Sequence, residues 1–228
     1  DPELLDYPNV GRHTLGVTQV RTFKAKSLAE KLAADFPHMR SIKYFAEGWQ
    51  SLYGKRPEVF HNTDLIVSTV GSWVAEGRLN QVARKEADFP PVIYGWAEPF
   101  SVAGHAVLIG SNGPCFACGM DHFGRARRTV CEWDTETTRK QPHCGASFQP
   151  YGPASLSGVT ALVAKTTTKA LLGEVPPGTE TVYWASKEEI VGQGGRFNPD
   201  FLNLFPDVPE FGGARQFEWG QEGNCSFC

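Results

Sequence analysis

The chain has 228 residues, a net charge of −3, 41% hydrophobic and 21% charged residues. That balance fits a globular protein with a substantial core, and it excludes the basic excess that draws proteins to nucleic acids or anionic membranes. No apolar run approaches the roughly 20 residues needed to cross a bilayer. Six cysteines, arranged as two Cys-x-x-Cys pairs and two singles, point to metal ligation and thiol chemistry in a reducing compartment, the cytoplasm, and away from a disulfide framework.

In chain order, residues 1–16 read as a loop with acidic residues early and Arg12 and His13 later. Ser27 and Glu30 have capping-box spacing, which predicts a helix carrying Leu28 and Leu32 and stopping before Pro37. Residues 41–45 alternate as a short strand does. Residues 63–70 are apolar almost throughout, the pattern of a strand buried on both faces of a parallel sheet. Val74, Leu79, Val82 and Ala83 then recur at helical spacing, and Pro90-Pro91 ends that helix. Residues 91–100 and 103–109 form two strands close enough to be antiparallel neighbours. Residues 154–172 form a helix with Gly173 placed for its C-cap, and residues 180–186 a further strand. From Gly192 the chain is rich in Gly, Pro and aromatics and reads as irregular structure that needs a tether. Gly192–Gly195 lacks both the Lys-Ser/Thr of a P-loop and a full G-x-G-x-x-G, so it is a turn. Strand, helix, then adjacent strands define an α/β fold with a mixed sheet.

The organising stretch is residues 113–153, which holds four of the six cysteines. Cys115 and Cys118 form one Cys-x-x-Cys, and Cys225 and Cys228 form its complement at the far end of the sequence. Thiolates suit zinc, and each pair places two sulfurs on one tight turn. The expectation is a structural Zn²⁺ with four protein ligands, leaving no open position; the alternatives are two unrelated pairs or one redox pair. Cys144 and Cys131 fall outside this set. Cys144 precedes Gly145-Ala146-Ser147 and a helix, where a loop thiol can have a lowered pKa. Cys131 is flanked by Glu132 and Asp134, which disfavour a thiolate. Cys144 is therefore the expected nucleophile, with an inert buried cysteine as the alternative.

Together these pieces resemble the ThiF/MoeB/ubiquitin-activating superfamily, in a bacterial ubiquitin-like-activating form. Asp1-Pro-Glu3 through Asn9-Val-Gly-Arg12 is similar to the family's D-x-D/E…N-x-x-R motif, and Lys24-Ala25 to its following lysine. Asp64 to Asn80 matches the next strand–helix unit, and Tyr94-Gly95-Trp96, Gly104-His105-Ala106-Val107 and the first Cys-x-x-Cys continue in family order. Cys144-Gly-Ala-Ser resembles the crossover that carries a catalytic cysteine in some members. Two departures stand out. The Gly-rich nucleotide loop that precedes the D-x-D motif is missing, so the chain looks like the C-terminal two-thirds of an activating domain. The place of a magnesium-holding aspartate falls at Gly71.

The resemblance implies a Rossmann-like, ThiF-type sheet. It implies a partial adenylation core at 1–110, a zinc-knuckle and catalytic-cysteine crossover at 111–153, and a C-terminal helix, strand and zinc-tethered tail at 154–228. It implies an enzyme with ATP and Mg²⁺ as substrate. Asn9, Arg12 and Lys24 would bind the phosphates, and Asp1 would face magnesium or the nucleotide. A ubiquitin-like protein's C-terminal glycine would be adenylated and passed to Cys144 as a thioester. Two alternatives stand beside this: a sulfur-carrier adenylyltransferase, and a non-catalytic scaffold that binds a ubiquitin-like or conjugating partner. The expected assembly is a homodimer or a hetero-complex, since a partial nucleotide fold leaves a sheet edge or apolar face to cover.

Overall fold

The computed structural model describes every residue except 141–146, 209, 224 and 226. It divides into two compact units, Asp1–Asn62 and Thr63–Cys228. The first unit holds four helices: α1 (Tyr7–Val10), α2 (Lys24–Asp35), α3 (Trp49–Lys55) and α4 (Glu58–His61). Two expectations fail here. Helix α2 begins three residues before Ser27, so Ser27 lies inside it and is buried, its hydroxyl hydrogen-bonded to Thr22. Residues 41–45 form no strand. Alternation alone does not make one without a neighbour to pair with. A capping box forms instead at the start of α1: Asp6 accepts from Tyr7 N, and Asn9 Oδ1 accepts from Asp6 N.

The second unit is built on a five-stranded sheet of order β1-β2-β3-β7-β9. Its strands are β1 (Ile66–Ser68), β2 (Val92–Ala97), β3 (Ala103–Ile109), β7 (Thr179–Trp184) and β9 (Gly213–Glu218), with β4 (Cys131–Trp133), β5 (Arg139–Lys140), β6 (Ser147–Phe148) and β8 (Gly195–Phe197) in two small ladders. Only β1 and β2 run parallel; the β2–β3, β3–β7 and β7–β9 pairs are antiparallel. The sheet is thus mixed, as the sequence predicts. Strand β1 is shorter than expected, and Val67 on it is exposed, because β1 is an edge of the described sheet. The tail also departs from expectation. Strand β8, the helix α8 (Pro199–Leu204) and β9 form here, and the two strands take their hydrogen bonds from β4 and β7.

Helix α6 (Pro153–Leu171) covers one face of the sheet. Pro153 sits at its first turn, where a missing N–H costs nothing. Beyond its end Gly173 adopts φ +72° and the Glu174 amide reaches back to the Lys169 carbonyl, closing the C-terminus. The β-branched run is accommodated because Thr167 and Thr168 donate to carbonyls four residues back. Leu162 packs with Ile93, Ala106 and Leu108, and Val159 lies against Gly104 of β3. Close approach requires Gly104: a Cβ there would lie 2.5 Å from a Val159 methyl. Gly104→Ala is therefore expected to lower stability by about 1–3 kcal/mol, read as a shift in the urea midpoint at unchanged m; an unchanged midpoint would mean that α6 packs loosely.

The opposite face carries Tyr94, Trp96, His105, Val107, Glu180 and Trp184, aligned by the register of β2, β3 and β7. Under it lie the cysteine segment and the aromatic cluster of Trp184, Phe201 and Phe205.

Candidate functional site

The helix α5 (Trp73–Lys85), the turn at residues 115–119 and the last residues of the sequence meet around four sulfurs. The Sγ atoms of Cys115, Cys118, Cys225 and Cys228 all lie within 4.8 Å of one another. Cys115 is 3.8 Å from Cys118 and 3.6 Å from Cys225, and Cys118 is 3.2 Å from Cys228. Sulfurs about 2.3 Å from a tetrahedral zinc would be spaced roughly 3.8 Å apart, so the donor set fits such an ion. The surroundings fit as well. Burial pushes the Cys115 thiol up, while Asn80, whose buried Nδ2 has no hydrogen-bond partner among the described residues, favours its ionised form.

The knuckle is rigidly held. Asn80 Oδ1 accepts from Phe116 N at 2.9 Å, and Trp219 Nε1 donates to the Cys115 carbonyl at 2.9 Å. Phe116 stacks on Tyr94 with centroids 3.9 Å apart. Sequence spacing identifies the four sulfurs; it gives no sign of Asn80 or Trp219.

In the loop after β1, Gly71 has φ +64°, a left-handed backbone that suits glycine. The acid of this loop is Glu76, one turn into α5. It is buried, accepts from Ser68 Oγ at 2.9 Å and is met by the backbone amides of Val70 and Gly71; burial pushes its carboxyl up.

The candidate nucleotide residues all lie in the first unit. Chain pairing brings residues 1–5 beside 21–24: Leu5 N donates to Thr22 O, and Lys24 N to Glu3 O. Lys24 Nζ is 2.5 Å from Glu3 Oε2 and draws the Glu3 carboxyl down. Lys24 also acts on His13, whose imidazole is pushed down first by burial and then by that lysine. Asp1 Oδ1 accepts from Glu3 N, and Arg12 N donates to Asn9 O. Glu3, the third residue of the motif, is thus paired with its lysine, and His13 lies within reach of the same charge.

Of the two single cysteines, Cys144 lies outside the described residues. Cys131 is buried on β4, and its thiol is pushed up by burial and then by Glu98. Glu98 belongs to a group that the sequence does not reveal. His105 Nδ1 is 2.6 Å from Glu180 Oε1 and His105 Nε2 is 2.8 Å from Glu98 Oε1. All three residues are buried, and Trp96 stacks on the imidazole. Glu98 also accepts from Val130 N and Cys131 N, fastening β4 to the end of β2.

No protein-family model matches the chain. No curated protein matches its sequence either. Solved structures do match its fold. E. coli MccB with ATP superposes over 100% of this chain at 13% identity and a TM-score of 0.60. E. coli MccB alone gives 100%, 13% and 0.62, and the microcin biosynthetic enzyme MccB in complex with N-formylated MccA gives 100%, 12% and 0.60. The chain spans only 56–58% of those proteins. The mixed α/β architecture is therefore of the MccB kind. Among the described residues, no helix is long and apolar enough to cross a membrane.

Proposed function

We propose that the chain belongs to an ATP-dependent adenylyltransferase that activates the C-terminal carboxylate of a peptide or small protein of ubiquitin-like or sulfur-carrier type. The observation that carries this reading is a four-cysteine knuckle mounted on a sheet of the MccB kind, in a sequence with an N-x-x-R motif and a following lysine. MccB structures hold ATP and MccA, which supports a nucleotide and a peptide as the two substrates. The knuckle would hold Zn²⁺ as a structural ion.

In the proposed reaction the substrate carboxylate attacks the α-phosphorus of ATP·Mg²⁺, pyrophosphate leaves, and an acyl-adenylate forms. Arg12 and Lys24 would stabilise charge on the phosphates, with Asn9 and Asp1 beside them. The Cys144 thiolate then attacks the acyl carbon, a thioester forms, and AMP leaves. Adenylation supplies the good leaving group that a bare carboxylate lacks.

Full-length protein is expected to exchange labelled pyrophosphate into ATP when given its carboxylate substrate. Arg12→Ala is expected to lower that exchange about a hundredfold or more. Cys144→Ala is expected to abolish a reductant-sensitive adduct and keep exchange, and Cys131→Ala to keep both. Exchange without any adduct would assign the sulfur-carrier chemistry. The scaffold reading draws on one observation, the engagement of Asn9 Oδ1 with Asp6 and of Lys24 Nζ with Glu3; absence of exchange would select it.

A further inference from the structure

Asn80 lies on the buried side of α5, about two turns beyond Trp73. Trp73 packs on the cysteine cluster, and the two residues share a face of the helix, so that face is turned towards the knuckle. Asn80 itself is fully buried. An amide taken out of water has one acceptor and two donor hydrogens to satisfy, and a buried donor left unmet is costly. The acceptor is met: Oδ1 takes the Phe116 amide at 2.9 Å. A backbone N–H can only donate, so that bond fixes which way the carboxamide faces and where its nitrogen stands. The nitrogen is not met. Nδ2 has no hydrogen-bond partner among the described residues.

The group that this nitrogen reaches is Cys115, the residue before Phe116, on whose sulfur Asn80 acts as a donor. A neutral thiol is a weak acceptor. A thiolate carries charge, and charge-assisted bonds are shorter and stronger than neutral ones. An amide that finds no partner in a thiol therefore finds one in a metal-bound thiolate. Cys118 and Cys225 act on the same sulfur as like charges, so Asn80 is the neighbour that offsets them. Trp219 Nε1 grips the other part of the residue, the Cys115 carbonyl, at 2.9 Å. The backbone of Cys115 is thus held from the end of β9, and the charge of its sulfur is answered from α5. One turn earlier on α5, Glu76 holds the loop after β1 through Ser68 Oγ and the amides of Val70 and Gly71.

We propose that Asn80 is a positioning residue of the metal centre: its carboxamide holds the Phe116 amide through Oδ1 and donates through Nδ2 to the Cys115 thiolate, tying α5 to the ion and slowing the ion's loss. The proposal rests on the four-cysteine cluster holding Zn²⁺, and it extends that centre to a residue that touches no metal. Groups that bond to metal ligands orient them and tune the ion, and their removal costs about 10–100-fold in metal affinity. Through Asn80 and Glu76 one helix joins the ion to the loop after β1.

The test times the transfer of Zn²⁺ from full-length protein to an excess of a chromophoric chelator, for wild type, Asn80→Asp and Asn80→Ala. Asn80→Asp keeps the acceptor for Phe116 N and removes the donor to the sulfur; Asn80→Ala removes both. Both variants are expected to lose zinc at least about tenfold faster than the wild type. A second readout does not depend on affinity. In protein loaded with Co²⁺, the sulfur-to-cobalt charge-transfer band is expected to move to longer wavelength in both variants, because a sulfur that loses a hydrogen bond holds its electrons less tightly. Far-UV circular dichroism is compared across the set; should Asn80→Asp lose its fold, Asn80→Ala and its cobalt band decide. A wild type and an Asn80→Asp protein that lose zinc at the same rate would overturn the proposal and leave Asn80 as a prop for the Phe116 amide. A cobalt band unmoved in both variants would do the same, whatever the rates. A wild type that binds neither Zn²⁺ nor Co²⁺ would instead overturn the metal centre itself, and this proposal with it.

Discussion

Stripping metal from the four-cysteine cluster is expected to dissolve the knuckle and release the end of the chain. The sulfurs come from two places 110 residues apart, and Cys115–Cys225 and Cys118–Cys228 are the contacts that join them. Without a cation, four sulfurs within 4.8 Å repel as thiolates or remain as poorly partnered thiols. Structural zinc contributes folding free energy directly, about 10–16 kcal/mol in small finger peptides. A domain with its own five-stranded sheet depends on it less, so a loss of at least ~4 kcal/mol is expected, or roughly a 10 °C fall in Tm. Metal analysis should give about one zinc per chain, and chelation should change tryptophan fluorescence, because Trp73 packs on the cluster and Trp219 bonds to Cys115. The two halves should respond unequally. Cys115 is buried and Cys228 is exposed, so Cys115→Ser should cost more than Cys228→Ser, which principally frees the tail. A folded, metal-free protein with all four thiols open to a thiol reagent would refute the metal centre.

What the sequence disclosed follows from how local the signal was. The four sulfurs were legible because a Cys-x-x-Cys is a local pattern and a second copy supplies its complement. Strands β2 and β3 and helix α6 were legible because one face of each is apolar, and β7 because of its β-branched and aromatic residues. Other features depend on neighbours that the sequence does not name. Residues 41–45 alternate but have no strand beside them. Ser27 is three residues from Glu30, yet the chain is already helical at Lys24 because Lys24 N is held by the Glu3 carbonyl. Strand β9 reads as irregular because its residues show no apolar–polar alternation and follow a Gly-rich stretch; only pairing with β7 makes it a strand. The site divides in the same way. Lys24 and Glu3 are marked by a motif, whereas their pairing, and the place of His13 near the lysine, show only when the chain folds back. The Glu98–His105–Glu180 group is the extreme case, since its members are 7 and 75 residues apart and each is an ordinary polar residue in a strand or turn.

Removing His105 is expected to be among the most damaging single changes in the second unit. Its imidazole stands between two carboxylates with 1% exposure, and Glu180 has none. Burial by itself pushes the imidazole down; the hydrogen bonds and charges of Glu180 and Glu98 outweigh it and bring its pKa up to about 9. The doubly protonated ring donates to both glutamates, so His105→Ala leaves two buried carboxylates facing a void. Breaking a buried pair by removing one partner costs about 3–5 kcal/mol. The rise from 6.5 to about 9 corresponds to about 3 kcal/mol by an independent route. The pH dependence has a definite sign. A group whose pKa is higher folded than unfolded contributes its full stabilisation below about 6.5 and loses it as pH rises through about 9. Wild-type stability in urea should therefore decline between pH 6.5 and 9, with Cys131, which faces Glu98, losing no proton in that range because its thiol is pushed up. His105→Gln, which keeps one donor, should be less damaging than His105→Ala and should flatten the decline. The mutant should also loosen β4, because Glu98 holds the amides of Val130 and Cys131, and hydrogen exchange at those two amides reads that directly. A wild-type urea midpoint that rises across this range, or a His105→Ala protein as stable as the wild type with both amides still protected, would show that the imidazole is neutral in the fold and that the two glutamates hold β4 without it.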